Sequence, residues 1–479
     1  MIWVVVYLCA MPFHKITPAD IAFFKTILDA QYVLVDEENL ERCSGDQTED
    51  LRYLPEVVLQ PVTVGEVSSI MKYCNELLIP VTPRGAGTGL SGGALPVMGG
   101  VVLDMKRFNK ILNVDKRNFQ VTTEPGIITQ ELQEHLKELG LFYPVDPASK
   151  GSCFIGGNVS ENSGGPRAVK YGVVKDYVLN LEVVLPNGEI IWTGANVLKN
   201  ATGYNLTQLL VGSEGTLGVI TKIVLRLIPA VKHDLLLLVP FRSAVEACAA
   251  VNAIFVAGYT PSALEFMERD AIEWSMKYTN ATGITLPADI TAHLLIEVDG
   301  NHIDQLYSDV EAITNIVGRY DTDEILFAES HEQKQMLWTL RRKVGEAVKS
   351  NSIYKEEDTV VPRAELPELL QIIKRLGTEY GFTSVCYGHA GDGNLHVNIV
   401  KGDMSDEDWE VKLPKGIREL FKEVVRMGGT ISGEHGIGLV QRDYMDIAFN
   451  TVQMGLMRQI KQVFDPNNIL NPGKILTKA

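Results

Sequence analysis

In the first half of the chain, short apolar runs alternate with segments in which apolar residues recur at helical spacing. Residues 64–78 and 128–140 have the helical spacing, and Gly140 ends the second of them. The extended segments predicted by this pattern are 54–63, 79–85, 99–105, 120–126 and the hairpin 178–192, which turns at Pro186, Asn187 and Gly188. This alternation of helices and strands predicts an α+β fold.

The pattern changes near Pro229. Glycine becomes scarcer up to about residue 425, and long amphipathic segments such as 331–351 occur among strand-like runs at 234–241 and 292–300. This combination predicts an antiparallel sheet with helices on one face. We therefore expect three segments, which are a first domain at 12–230, an inserted α+β domain at 231–429, and a glycine-rich return segment at 430–479.

The N-terminus begins with a separate apolar run, residues 2–10. This run is too short to cross a bilayer, which takes about 20 residues. No positively charged residue precedes it and no clean small-x-small cleavage site follows it, so a secretory signal is disfavoured. An edge strand, or a start assigned upstream of a true initiator at Met11, explains the run better, which leaves open whether residues 1–10 are translated.

Composition and charge narrow the class of protein. The 479 residues correspond to about three folding units. Sixty acidic and 44 basic side chains give a net charge of −16 without an offsetting basic run, which disfavours nucleic acid as a partner. The six cysteines include no C-x-x-C pair, which argues against a disulfide framework, a zinc ribbon and an iron–sulfur cluster. These features predict a globular protein of the reducing cytoplasm.

Glycine is concentrated at residues 81–100, which hold seven glycines where the chain average of 42 in 479 predicts fewer than two. Gly87-x-Gly89-x-x-Gly92 fits the dinucleotide fingerprint, but that fingerprint must open a helix, and the glycines and Pro96 that follow prevent one. The segment is instead predicted to be a phosphate-binding loop between strands. The alternative is a mobile surface loop.

Two further glycine-rich stretches follow, at 150–172 and 212–221. The first contains six glycines together with Ser160, Asn162 and Arg167, and the second has a tight turn that leads into a strand. A single ligand with a diphosphate and two heterocycles would need this many contact points. The three stretches together favour ligand binding over a surface loop.

Two short motifs, GHAGDGNLHVNI and SGEHGIG, contain three histidines and a glutamate. His389 and His396 flank a turn at 391–393 that can bring one imidazole back toward the other. With Glu434 they suit a divalent ion such as Zn²⁺ or Mn²⁺ that keeps a position open for substrate. Any one of these histidines alone is more often a buried structural residue, and the same ligand set would also suit a metallohydrolase.

The loop sequences PVTPRGAGTGLSGGALP, IGGNVSENSGGPRAVKYG and EGTLGVIT resemble the FAD-binding signatures of the vanillyl-alcohol-oxidase, or PCMH-type, flavoprotein family. The pattern is most similar to the branch of D-lactate, glycolate and D-2-hydroxyglutarate dehydrogenases, from about residue 50 onward. The resemblance implies an α+β fold with a PCMH-type FAD-binding domain, an inserted substrate (cap) domain and a C-terminal return segment. It also implies non-covalent FAD, bound by Arg84, Gly85, Ala86, Gly87, Thr88, Gly89, Leu90, Ser91, Gly92, Gly93, Pro147, Gly156, Gly157, Asn158, Ser160, Gly164, Gly165, Gly172, Glu214, Gly215, Gly218, Ile220 and Asn471.

The resemblance also assigns roles at the reacting end. His389, His396 and Glu434 match the metal ligands, and His435 matches the general base. Arg341 matches the arginine that holds the substrate carboxylate, although the simplest interpretation of its helical segment is a solvated cationic face. Asn398 matches a residue that touches the substrate or orients the ligands. The sequence departs from the D-2-hydroxyglutarate dehydrogenases at Glu356, where those enzymes have a lysine, and this weakens a dicarboxylate assignment.

The function implied by the resemblance is FAD-dependent oxidation of a D-2-hydroxy acid, such as D-lactate or glycolate, to the 2-oxo acid. The alternatives are a D-2-hydroxyglutarate dehydrogenase, a metallohydrolase and a non-catalytic electron-carrier subunit. Because the sequence stops at NPGKILTKA without a cysteine-rich module, we expect a separate electron acceptor, which could be an electron-transfer flavoprotein, an iron–sulfur subunit or a quinone. The protein could also form a homodimer. It could associate peripherally with a membrane through its electron acceptor.

Overall fold

The computed structural model describes residues 13–48, 51–281, 284 and 286–477. The apolar run at 2–10 lies outside these residues. Within them, no helix combines the length and the apolar character that crossing a membrane requires. The cysteines they contain, at positions 43, 74, 153, 248 and 386, are buried and free.

The chain alternates helices and strands as expected for an α+β fold. The strands are β1 (Val33–Leu34), β2 (Val57–Leu59), β3 (Val81–Arg84), β4 (Val101–Asp104), β5 (Ile111–Asp115), β6 (Gln120–Thr123), β7 (Leu141–Phe142), β8 (Val178–Val184), β9 (Ile190–Trp192), β10 (Val219–Arg226), β11 (Ile228–Pro229), β12 (His233–Phe241), β13 (Ala263–Glu268), β14 (Ala292–Gly300), β15 (Leu326–Phe327), β16 (Tyr354–Val360), β17 (Thr383–Gly388) and β18 (Asn394–Val400). The helices are α1 (Pro18–Ile27), α2 (Glu37–Arg42), α3 (Val64–Leu77), α4 (Thr129–Glu138), α5 (Ile155–Glu161), α6 (Ala168–Tyr171), α7 (Leu206–Leu210), α8 (Ala244–Val256), α9 (Arg269–Thr279), α10 (Ile303–Val317), α11 (His331–Arg342), α12 (Val344–Asn351), α13 (Leu366–Tyr380), α14 (Leu413–Arg426), α15 (Met445–Ala448) and α16 (Thr451–Phe464).

The N-terminal region, up to β11, contains two main sheets. In the first, of order β1-β2-β4-β3, strands β2, β4 and β3 run parallel. The second is antiparallel, of order β5-β6-β10-β8-β9. Helix α3 begins at the predicted position because Thr63 and Glu66 form a reciprocal capping box. The predicted hairpin at 178–192 is present as β8 and β9, with Gly188 in the turn at a φ of 85°.

The central region, from β12 to α14, contains a seven-stranded antiparallel sheet of order β15-β12-β14-β13-β17-β18-β16. Leu235 and Leu237 of β12 face α8, α10, α13 and α14, whereas Leu236 and Leu238 face α9, α11 and α12. The expectation of helices on one face is therefore wrong. The physical reason is that β12 carries apolar side chains on both of its faces, and both faces must therefore be covered by helices. The predicted helix at 331–351 is also divided, because it breaks at Lys343 into α11 and α12.

The last part of the chain returns to the N-terminal region. Leu470 forms a parallel bridge with Val81 of β3, and the N–H of Asn471 donates to the carbonyl of Val81 at 2.7 Å. Buried Asp465 accepts hydrogen bonds from the N–H groups of Ile469 and Leu470, which fixes this turn. The contacts agree with a return segment, and the three domain boundaries themselves stay predictions.

Ion pairs join the N-terminal and central regions beside their junction. Lys170 pairs with Asp299 at 2.5 Å, and Arg342 pairs with Asp146 at 2.7 Å. Because Asp299 and Asp146 are buried, these pairs are less screened than surface pairs. They hold the two regions against each other around a shared cavity.

Candidate functional site

A cavity of about 820 Å³ lies between the N-terminal region and the central sheet. The glycine-rich loops form one part of its wall, and Arg341, His389, His396, Glu434 and His435 form another. Its volume lies within the range of cofactor and substrate pockets. The two groups of residues predicted from sequence therefore share one site.

The loop that connects β3 to β4 turns its backbone toward this cavity. None of the N–H groups of residues 85–93 donates a hydrogen bond within the described part of the chain. Gly87 has a φ of 73°, which glycine adopts at low cost. Buried Arg84 begins the loop and donates to the carbonyl of Gly45 at 2.8 Å. Successive unpaired N–H groups beside a guanidinium form a concavity that fits the diphosphate of a dinucleotide.

The start of α5 adjoins this loop. A Cβ on Gly156 would collide with Pro125, whereas Gly157 has no other group within 4 Å of the same position. Buried Asn158 donates to Thr129 Oγ1 at 2.7 Å, which holds the helix in place. The backbone at Gly156 is therefore tightly confined, while Gly157 leaves open space for a ligand.

Most of the predicted flavin contacts line the cavity, namely Arg84, Gly85, Ala86, Gly87, Thr88, Gly89, Leu90, Gly93, Pro147, Gly156, Gly157, Asn158, Ser160, Glu214, Gly215, Gly218 and Ile220. The predicted contacts that do not line the cavity are Ser91, Gly92, Gly164, Gly165, Gly172 and Asn471. Asn471 donates to the carbonyls of Gly93 and Glu214, at 2.9 and 2.8 Å, and so joins two of the cavity loops. Direct contact of the individual residues with FAD stays a prediction.

A hairpin of β17 and β18 brings the two predicted histidine ligands together. His389 follows β17 and His396 lies in β18. Glu434 Oε1 is 3.1 Å from His389 Nε2 and 3.6 Å from His396 Nε2. In a tetrahedral site with metal–ligand bonds of about 2.1 Å, the ligand atoms are about 3.4 Å apart. The two distances lie on either side of this value, so these three side chains could hold a divalent metal.

Glu265 of β13 adjoins this cluster and was not predicted from the sequence. Its carboxylate is fully buried, accepts from Nδ1 of His389 at 2.8 Å and pairs with Arg341 at 2.6 Å. Because Nδ1 faces Glu265, Nε2 is the nitrogen that faces Glu434. A carboxylate on the far nitrogen of a histidine is the usual way in which a metal-binding imidazole is oriented.

The electrostatic environment distinguishes the two histidines. Burial disfavours a charge on His389, but Glu265 and Glu434 outweigh that effect and raise its pKa well above the ordinary value. Burial and the neighbouring His435 lower the pKa of His396 to about 3. The imidazole of His396 is therefore neutral at physiological pH, whereas His389 favours the protonated form that donates to both Glu265 and Glu434. A metal bound by both histidines would have to displace this proton of His389.

His435 lies against His396, with the two rings stacked at a centroid distance of 5.0 Å. Its Nδ1 is 4.0 Å from Asp358 Oδ2. Burial opposes protonation of His435, but Asp358 and Glu356 outweigh it and raise its pKa above the ordinary value. A raised pKa makes the imidazole a stronger base but also increases its protonated fraction, so the predicted role of general base needs a pH above this pKa.

Arg341 is buried near the end of α11, so the alternative of a solvated cationic face is wrong. Its guanidinium lies 4.9 Å from the ring centre of Tyr387. Its Nε donates to no acceptor among the described residues, and Arg341 lines the cavity. The guanidinium therefore keeps hydrogen-bonding capacity for a carboxylate.

The predicted catalytic residue Asn398 is fully buried in β18 and does not line the cavity. It lies two residues after His396 and hence on the same face of the strand.

We expect Gly393→Ala to destabilise the protein by about 2 kcal/mol or more and to separate the two histidines. Gly393 has a φ of 85°, and a Cβ there would collide with the carbonyl of Val361. Urea unfolding followed by circular dichroism measures the change. Gly455→Ala is the matched control, because Gly455 is inside α16 and has open space around it. Equal stability of both variants and the wild type would contradict this expectation.

Comparisons with known proteins show the family of the chain. Residues 55–194 match the family of FAD binding domains, and residues 231–475 match the C-terminal domain of FAD linked oxidases. The chain is 38% identical to a D-lactate dehydrogenase of Anaerostipes hadrus, over 97% of this chain and 99% of that protein. It is 38% identical to glycolate oxidase subunit GlcD of Bacillus subtilis (strain 168), over 92% of this chain and 94% of that protein.

A third relative is a D-2-hydroxyglutarate dehydrogenase of Stutzerimonas stutzeri, 32% identical over 96% of this chain and 99% of that protein. Among solved structures, p-cresol methylhydroxylase with substrate bound superposes with a TM-score of 0.76 at 20% identity, over 95% of this chain and 96% of that one. This likeness confirms the α+β, PCMH-type fold, and the sequence relatives confirm the family resemblance. The chain belongs to the FAD-linked oxidases and is an FAD-dependent oxidoreductase.

Proposed function

We propose that this protein oxidises a D-2-hydroxy monocarboxylic acid, such as D-lactate or glycolate, to the corresponding 2-oxo acid. The observation that carries the proposal is one cavity lined both by the flavin-type loops and by Arg341, the His389–His396–Glu434 cluster and His435. The names of the relatives, a D-lactate dehydrogenase and a glycolate oxidase subunit, support it. A metallohydrolase would have no use for the three glycine-rich loops.

The two cofactors would divide the chemistry. Bound FAD supplies the oxidation, since a flavin accepts two electrons from an organic substrate. A dication held by His389, His396 and Glu434, Zn²⁺ or Mn²⁺ by the type of ligands, supplies a Lewis acid. The distances among the three donor atoms and the orientation of His389 by Glu265 support the metal.

The protein's own side chains would bind the substrate and move its proton. Arg341, which lines the cavity, binds the carboxylate through its guanidinium. His435 removes the proton of the 2-hydroxyl group, and the hydrogen on C2 leaves with the electron pair. Two electrons are thus lost per substrate, and they must then pass to an electron-transfer flavoprotein, an iron–sulfur subunit or a quinone.

An anaerobic visible spectrum of the metal-replete protein tests this proposal. D-lactate, glycolate and D-2-hydroxyglutarate are added in turn. Bleaching of the flavin by one of the monocarboxylic acids, abolished by a chelator and restored by the metal, is the expected result. A yellow protein that no 2-hydroxy acid bleaches would overturn the proposal.

Glu356 in the cavity wall would make the site select against substrates that carry a second carboxylate. Its side chain is 11% exposed, lies 3.6 Å from His396 Nδ1 and accepts from the hydroxyl of Tyr387 at 3.3 Å. Because Tyr387 also lies against Arg341, a substrate held by Arg341 would extend toward this carboxylate. A dicarboxylic acid would then bring like charges together in a buried site, which is unfavourable.

We expect Glu356→Lys to raise the ratio of kcat/KM for D-2-hydroxyglutarate over D-lactate at least about tenfold, or 1.4 kcal/mol. Glu356→Gln, which only removes the charge, should give a smaller change in the same direction. Glu346→Lys is the matched control, since Glu346 is at the exposed rim of the cavity and pairs with Lys343. If neither variant of Glu356 changes the ratio, this side chain has no part in selectivity.

A further inference from the structure

The short loop at residues 433–438 carries two groups of the proposed site, Glu434 and His435. This loop lies between the end of α14 and the start of α15, so its backbone groups are not hydrogen-bonded within a helix or a strand. Its position depends instead on hydrogen bonds from its N–H groups to carboxylates of two different parts of the chain. We call residues 433–438 the catalytic loop.

Asp358 of β16 holds the first half of the catalytic loop. Its Oδ2 accepts from the N–H groups of Gly433, Glu434 and His435, at 2.8, 2.8 and 2.9 Å. Its Oδ1 accepts from the side-chain amide of Asn394 at 2.7 Å. This carboxylate is buried and comes from the central sheet. It fixes the loop to the strands that carry His396.

Glu214 holds the second half of the loop from the opposite region. Its Oε1 accepts from the N–H of Ile437 at 2.7 Å, and its Oε2 accepts from the N–H of Gly438 at 2.6 Å. Its own backbone N–H donates to the carbonyl of Ser160 at 2.8 Å, and its carbonyl accepts from Asn471. Glu214 is therefore part of the flavin-side wall, while its carboxylate is bonded to the catalytic loop.

We propose that Glu214 is a positioning residue for His435, and that it links the flavin loops to the proton acceptor of the reaction. The proposal rests on the proposed function and goes beyond it, because Glu214 otherwise counts only as one of the flavin contacts. Both oxygens of its carboxylate accept N–H groups of the loop, and a Cβ on Gly436, at a φ of 82°, would be 3.1 Å from Oε1. The loop is thus held between one carboxylate of each region.

The variant Glu214→Gln tests this role with little change in shape. Replacing one carboxylate oxygen by an NH2 group, which only donates, leaves the N–H of either Ile437 or Gly438 facing a donor, because the two N–H groups bond to different oxygens of Glu214. Hydrogen–deuterium exchange of the peptide at 432–441, measured on the FAD-replete protein, should become at least about tenfold faster, which corresponds to a loss of the order of one hydrogen bond. This measurement does not depend on turnover.

The kinetic readout separates positioning from binding. The limiting rate of flavin reduction by D-lactate in stopped flow should fall by about 10- to 100-fold, because small displacements of a reacting group are costly. The FAD content and the substrate Kd obtained from the same titration should stay within about threefold, since Arg341 and the loop at 85–93 are unaffected. Glu182→Gln is the matched control, because Glu182 is a buried carboxylate of β8 that accepts from Thr221 and Lys222 away from the cavity.

Each other outcome contradicts the proposal. Loss of FAD from Glu214→Gln with a protected loop would make Glu214 a flavin ligand only, and an unchanged rate with unchanged exchange would leave it without a role. If Glu214→Gln is insoluble, Glu214→Asp keeps the charge but shortens the reach, and it must still open the loop where Glu182→Asp does not. A wild-type protein that no 2-hydroxy acid reduces would defeat the proposed function, whereas the exchange measurement would still decide how Glu214 holds the loop.

Discussion

Flavin reduction by D-lactate should become about 100-fold slower, or more, when His435 is replaced by alanine, while FAD stays bound. His435 is the imidazole whose pKa is raised by Asp358 and Glu356, against the effect of burial, and it lines the same cavity as the flavin loops. The rate falls because alanine cannot accept the proton of the substrate hydroxyl group, and an effect of this size is usual when a general base is lost. Anaerobic stopped-flow spectroscopy at saturating substrate measures the rate of flavin bleaching directly.

The control for this variant is His135→Ala. His135 is exposed on α4, away from the cavity, so its removal should leave the reduction rate within about twofold of the wild type, as for ordinary surface substitutions. A rate that is equally unchanged in His435→Ala would show that another group accepts the proton.

The second large effect is expected at His396. Replacement by alanine should remove the metal and lower the rate of flavin reduction by at least about 100-fold, because even residues that only orient a ligand affect metal affinity or activity by 10- to 100-fold. Among the described residues, two groups of donor atoms could hold an ion, and His396 belongs to both, one with His389 and Glu434 and the other with Glu356 and His435. Its removal therefore disables either arrangement.

Metal content after dialysis and the rate of flavin reduction are the two measurements for His396→Ala. The matched control is His293→Ala, which removes another buried histidine of the same sheet, in β14, outside the cavity lining. The control should keep the metal even if it loses stability. Retention of a stoichiometric ion by His396→Ala would contradict the ligand assignment.

Local patterns predicted much of the fold because the deciding interactions are close in sequence. The capping box of Thr63 and Glu66 starts α3, and the turn at Gly188 joins β8 to β9. The arrangement of helices around the central sheet was not predictable in this way. The apolar run in β12 shows that both faces are buried, but only the tertiary structure shows which helices cover each face.

In the candidate site as well, some residues could be predicted from the sequence and others could not. His389, His396, Glu434 and Arg341 were found because they occur in motifs that resemble a known family. Glu265 was missed, since its contact with His389 spans 124 residues and its strand has no distinctive motif. A charged residue in the middle of the strand 263–268, between apolar neighbours, is the one signal that could have indicated it, because a buried charge needs a partner.

The N–H groups of residues 85–93, which have no acceptor in the described part of the chain, affect how the protein is produced as well as how it binds FAD. Bound FAD would supply acceptors for these N–H groups, so FAD should bind the folded chain and not the unfolded one. Its binding should then stabilise the folded state by mass action, by about 2.7 kcal/mol at a free FAD concentration 100 times the Kd. Cells that run short of riboflavin would then accumulate less of this protein through degradation, even with transcription unchanged.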